Sequence, residues 1–180
     1  MEDPEVPTER LHEDIHHHAT HGGEPWTLGV ALSCALLAAM AAVASLKAGH
    51  YANEAMISQI ESANQWSYFQ SKSIKESQLK SKIEILEALG KPSSETDRTK
   101  AVEYKTDKEQ IQAKAEALER EAKHHMRTHQ VLARSVTMFQ VAIAVGAVSV
   151  LTRRRAFWFV SLCFGAVGLY FAVLSLLTIL

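Results

Sequence analysis

The sequence predicts an all-α membrane protein: three transmembrane helices, with a long antiparallel helical (coiled-coil) hairpin between the first and second. Three observations carry this prediction. First, charge is segregated, with no Asp, Glu, Lys or Arg in residues 25–46, 135–152 or 156–180, runs of 22, 18 and 25 residues. A bilayer core takes about 20 apolar residues of helix. Second, residues 47–134 are polar and carry few helix breakers outside one stretch near their middle, "ALGKPSSETD". Third, the later part of that polar segment repeats apolar and small residues at alternating spacings of four and three, the seam of a coiled coil.

Taken in order, residues 1–25 form an acidic, His-rich tail, with Glu2, Asp3, Glu5, Glu9, Glu13, Asp14 and Glu24 against Arg10 alone. Thr8 is a suitable N-cap for a short amphipathic helix to about residue 20, which Gly22-Gly23 would end. A secretory signal needs a short basic start, so the apolar run at 26–46 reads as a retained first transmembrane helix. That run is rich in Ala, together with Gly29, Ser33 and Ser45. Small residues let helices approach closely in lipid, where van der Waals contact drives association. The two cysteines, Cys34 and Cys163, both fall in apolar runs and read as packing residues rather than as a disulfide framework.

The hairpin occupies residues 47–134, with its turn near 90–94. Gly90 suits a left-handed stop, Pro92 prevents continuation, and Ser94 with Asp97 reads as a capping box for the next helix. Each arm would extend roughly 60 Å at 1.5 Å per residue. The second arm's seam reads Tyr104, Lys108, Ile111, Ala115, Leu118, Ala122, His125, His129, Leu132 and Val136, and it runs on through Phe139, Ile143, Gly146 and Val150. The matching stripe expected on the first arm is Ile57, Ile60, Asn64, Ser67, Ser71, Ile74, Gln78, Ser81, Ile85 and Ala88, half of it polar. Trp66 and Phe69 lie off that stripe; an aromatic pair on a second face is the expected oligomer interface, with capping of the hairpin's own seam as the plain alternative.

Transmembrane helix 2 follows at 135–151 and helix 3 at 156–180, separated by "TRRR". Short basic loops stay in the cytoplasm, whereas long loops cross largely regardless of charge. The Arg153–Arg155 turn and the amino terminus are therefore expected in the cytoplasm and the hairpin in the periplasm. The assignment rests on that short loop, because near the membrane ends the hairpin side carries five basic residues (Lys47, Arg120, Lys123, Arg127 and Arg134) against four on the other side (Arg10, Arg153, Arg154 and Arg155).

Two histidine groups have ligand-like spacing. In the tail, His12 and His16, and likewise His17 and His21, stand four apart, which brings two imidazoles onto one helix face for a divalent metal such as zinc. A solvated tail is the plain alternative. In the hairpin, His50 and Glu54 on one arm could meet His125 and His129 on the other as a four-ligand site. Histidines hydrogen-bonded within the hairpin are the plain alternative there. No phosphate loop, nucleophile elbow or zinc-protease motif occurs, so no catalytic residue and no bound cofactor are expected. The hairpin's 15 basic and 13 acidic residues are interleaved, which gives no footprint for nucleic acid.

The segments "EVPTERLHEDIHHHA", "PWTLGVALS", "AGHYANEA", "SIKESQLKSKIEILEALGKP", "LARSVTMFQVAIAV" and "LTRRRAFWFVSL" together resemble a bacterial family of small membrane proteins known only as a domain of unknown function, DUF4337. The resemblance covers almost the whole chain. It implies a bacterial origin and an inner-membrane location, and it supplies no activity, cofactor or site residue. The function expected from the residues is a non-enzymatic, homo-oligomeric scaffold presenting a helical stalk, with the lipid bilayer and further copies of itself as partners. A channel or transport accessory subunit, and a pH- or metal-responsive membrane sensor, are the rival expectations.

Overall fold

The computed structural model describes residues 25–177. Among the described residues the chain is three α-helices and no strand: α1 (Pro25–Ala88, 64 residues), α2 (Glu95–Thr152, 58 residues) and α3 (Arg155–Leu177, 23 residues). Each contains a stretch long and apolar enough to cross a membrane. Pro25 opens α1 at a position where a missing N–H leaves nothing unpaired. Neither α1 nor α2 is interrupted where its apolar run meets its polar arm. The expected tail helix lies outside the described residues.

Both turns close the preceding helix in the same way. After α1, the Gly90 N–H donates to the Glu87 carbonyl (3.0 Å) and the Lys91 N–H to the Leu86 carbonyl (2.9 Å), with Gly90 at φ 65°. This is the paired Schellman cap, and it needs a left-handed residue at its centre. After α2, the Arg153 N–H reaches the Val150 carbonyl and the Arg154 N–H the Ser149 carbonyl, both at 3.2 Å. Here the left-handed position, φ 54°, is filled by Arg153, which carries a Cβ.

The chain divides into two compact units: the described residues up to Ala52 with those from Arg127 onward, and Asn53–Met126. In the first unit the apolar parts of α1, α2 and α3 pack around Leu37, Ala41, Ala44, Phe139, Ala142 and Ile143, with a second cluster of Val30, Ala31, Cys34 and Ala147. Small residues set how closely the helices approach. A Cβ on Gly146 would lie 2.6 Å from Cys34 Sγ, and one on Gly168 would lie 2.7 Å from a Phe139 ring carbon. Serines stitch the same contacts without leaving a buried hydroxyl open. Ser135 Oγ donates to the Gly168 carbonyl (2.8 Å), and Ser161 Oγ to the Ala142 carbonyl (2.6 Å). Trp158 Nε1 donates to Ser33 Oγ (3.3 Å), and the Arg155 guanidinium stands 5.8 Å from the Trp26 ring centre.

Candidate functional site

The second unit holds the polar arms of α1 and α2, joined through the Gly90 turn. Along α2, the residues of the expected seam are all buried or half-buried: Ile111, Ala115 and Ala122 are buried, and Tyr104, Lys108, Leu118 and His125 are half-buried. Their partners on α1 differ from the expected stripe. The buried positions there are Ala55, Ser58, Ser62 and Glu76, continued by half-buried Phe69, Lys72, Leu79, Ile83 and Leu86. This set also alternates by three and four, but it sits two residues, or about 200° around the helix, from the isoleucine stripe. The isoleucines therefore face away from α2. Ile57, Ile60, Ile74 and Ile85 are 50, 55, 58 and 60% exposed.

The reason lies in what α2 presents. Ala115 and Ala122 leave room for a close approach, and the serines and alanine of α1 accept it; Ser62 Oγ donates to the Ala115 carbonyl across the arms at 3.0 Å. Nearer the turn, ion pairs join the half-buried Leu79, Ile83 and Leu86. Lys72 pairs with Asp107 (2.6 Å), Lys108 with Glu76 (2.8 Å), Lys82 with Asp97 (2.6 Å) and Arg98 with Glu87 (2.7 Å). Aromatic rings flank two of these cations. Lys72 Nζ lies 4.9 Å from the Tyr104 ring centre and 5.5 Å from that of Tyr68, and Lys108 Nζ lies 5.2 Å from that of Phe69.

Glu76 anchors this ladder. Its buried carboxylate accepts from Lys108 and from Lys80 (2.6 Å), and these two hydrogen bonds, Lys108's the larger, lower its pKa from 4.5 to about 2. Lys72 is held above its ordinary value, chiefly by its hydrogen bond to Asp107.

The remaining expected site residues are placed as follows. Phe69 is half-buried with Lys108 of α2 over its ring, and half-buried Trp66 meets Phe69 edge-on with ring centres 5.5 Å apart. His129 Nδ1 lies 2.8 Å from the Ala48 carbonyl. A ring nitrogen facing a carbonyl must carry the hydrogen, so this contact selects the Nδ1–H tautomer. His125 Nε2 is 3.7 Å from Glu121 one turn earlier on α2. His50 is exposed with its ring 5.4 Å from that of Tyr51, and Glu54 is half-buried. Among the described residues, no group of three or more His, Cys, Asp or Glu is placed to hold a metal ion. His12, His16, His17 and His21 lie outside the described residues.

The outward face of the α1 arm is the candidate site. A shallow groove of about 460 Å³ runs from this stripe round toward the α2-facing side, lined by Ser77, Gln78, Ser81, Lys82, Ile85 and Leu86, of which Lys82 pairs with Asp97 and Leu86 belongs to the α2-facing set. Three of these, Gln78, Ser81 and Ile85, belong to the exposed stripe. The surface is suited to packing another helix at heptad spacing, since knobs at alternating three and four residues fit a facing helix. The stripe expected to face α2 is exposed instead.

Among the described residues, fold and site thus define an all-α arrangement of three membrane-capable helices with an exposed isoleucine stripe on one polar arm. The chain belongs to the family described as a domain of unknown function (DUF4337), whose model matches residues 26–178. Neither a search of curated proteins nor one of solved structures found a match.

Proposed function

We propose that this is a non-enzymatic integral membrane protein of the bacterial inner membrane that crosses the bilayer three times and assembles into a homo-oligomeric scaffold through a coiled-coil hairpin. The amino terminus and the Arg153–Arg155 turn stand in the cytoplasm and the hairpin in the periplasm. The observation that carries the reading is the outward stripe of Ile57, Ile60, Ile74 and Ile85, more than half exposed on average along a helix whose other face already has a partner. Exposed apolar residues in one repeating line mark a surface for association. Two heptad lines on one helix suit a bundle in which each α1 arm touches its own α2 arm on one side and a neighbouring copy on the other.

The test is the mass of the full chain in mild detergent, before and after Ile74→Asp and Ile85→Asp. An oligomer that falls to a monomer with unchanged helicity is the expected result. A wild-type chain that is already monomeric removes the scaffold reading. Reporter fusion at Leu180 with cysteine labelling at Ser93 fixes the topology: labelling from the cytoplasmic side would invert the assignment.

A further inference from the structure

The first unit carries an apolar cleft of about 360 Å³ that the scaffold reading does not use. It opens between α1, α2 and α3. Its floor is buried Ala44, Phe139 and Ser175; Val43, Leu169 and Val173 stand exposed at its rim. It exists because Ala39, Ala44, Ala172 and Ser175 are too small to fill the space between neighbouring helices. The Ser175 hydroxyl donates to the Ala172 carbonyl (2.7 Å), which leaves the floor effectively without an open donor. The single charged lining residue is Lys47, exposed at one end, and among the described residues it forms no ion pair.

We propose that this cleft is a lipid site, holding one acyl chain of an anionic phospholipid with the lipid's phosphate against Lys47. The inference rests on the membrane reading above. From Ala39 to Lys47 the wall rises about 12 Å at 1.5 Å per residue, a path that an extended hydrocarbon chain can follow. A water-filled or polar-ligand cleft fits poorly, because buried water needs two to four polar partners and the side chains of this lining offer only exposed Lys47 at one end and the Ser175 hydroxyl, whose hydrogen is already donated to Ala172. An empty cleft forfeits the dispersion contacts of its walls, which a flexible chain recovers. The ammonium at the end selects a headgroup of opposite charge.

The test uses the full chain extracted in mild detergent, with native mass spectrometry during titration by phosphatidylglycerol or by phosphatidylcholine of the same acyl chains. One retained phosphatidylglycerol per chain is expected. Lys47→Ala should weaken phosphatidylglycerol by about tenfold, the effect of one charge-assisted contact, and phosphatidylcholine by less, because its choline cation already offsets its phosphate. Ala39→Phe places a ring into the cleft from an exposed position and should lower both lipids, with helicity by circular dichroism unchanged. Glycerophosphoglycerol, the same headgroup without acyl chains, should not compete. Lipid retention indifferent to both substitutions, or efficient competition by the bare headgroup, would overturn the proposal. So would disulfide-linked dimers of an Ala39→Cys variant in native membranes, which would show a second copy covering the cleft. Recovery of the wild-type chain from the soluble fraction without detergent would remove the membrane reading itself, and it is seen before any lipid is added.

Discussion

Replacing Glu76 by Gln keeps the shape of a buried side chain and removes its charge from between Lys80 and Lys108. The wild-type carboxyl is lowered from 4.5 to about 2. At ~1.4 kcal/mol per tenfold in proton affinity, that is an upper bound of about 3 kcal/mol of stability. The Lys80 side chain is 58% exposed and that of Lys108 24% exposed, so solvent screens both contacts. About 1–2 kcal/mol is the reasonable remainder. Because the folded-state pKa lies below the unfolded one, this stability is fully present above pH 4.5 and is lost as pH falls toward 2. The loss is local to the polar arms, so hydrogen exchange on the full chain in detergent is the suitable assay. At pH 7, amides around Glu76 and Lys108 should exchange about tenfold faster in Glu76→Gln than in wild type. Once rates are corrected for intrinsic exchange, the two proteins should converge as pH approaches 2. Equal protection at pH 7, or a difference that persists at pH 2, would refute the assignment of Glu76 as the anchor of the ladder.

Two further pairs of substitutions have opposite signs within each pair. Gly168→Ala puts a Cβ 2.7–2.8 Å from two ring carbons of buried Phe139 and should cost about 1–3 kcal/mol in thermal unfolding in detergent. Gly49→Ala, with nothing within 4 Å of its Cβ, should gain up to about 1 kcal/mol from helix propensity alone. At the turns, Gly90→Ala forces a Cβ into φ 65° and should destabilise by about 1 kcal/mol. Arg153→Gly relieves the same strain at φ 54° and should raise the melting temperature.

The sequence makes the three apolar runs legible because an absence of charge over 18 or more residues is a coarse and redundant signal. The α2 seam is legible for a related reason: Ile111, Ala115 and Ala122 are small or apolar at every turn, and no other face of that arm competes. Gly90 announces itself through its Lys-Pro neighbours. The α1 seam is illegible by the same method. Far from the turn its members Ala55, Ser58 and Ser62 are small or polar while Ile57 and Ile60 stand beside them, and its apolar members Phe69, Leu79, Ile83 and Leu86 are interrupted by Lys72 and Glu76, so hydropathy does not separate the two faces. Charge matching about the turn carries the missing signal. Lys72 with Asp107 (18 and 17 positions from Gly90) and Lys82 with Asp97 (8 and 7) are near-equally placed about the turn, while Glu76 and Lys108 (14 and 18) stand about one helical turn out of step. The histidine spacing misleads for a different reason. His129 finds the Ala48 backbone carbonyl, and every residue has such an acceptor, so no pattern of side chains reveals it.

The division of labour on α1 has a physical logic. A seam of isoleucines would hold two arms together more strongly, but it would accept several registers, since each heptad resembles the next. Ion pairs at Lys72, Glu76 and Lys82 are individually weak, yet a slip of one heptad leaves Glu76 buried without Lys108 and Lys72 facing no carboxylate. Breaking a buried pair costs far more than forming it gains, so the charges specify register rather than supply strength. Close approach at Ala55, Ser58 and Ser62 against Ala115 and Ala122 then adds contact that longer side chains would forbid. The apolar line is left to the outward face, where in the proposed assembly the anchored copies already share a bilayer. In that assembly their arms would meet at high effective concentration, where a discontinuous stripe of four isoleucines would be enough to hold them.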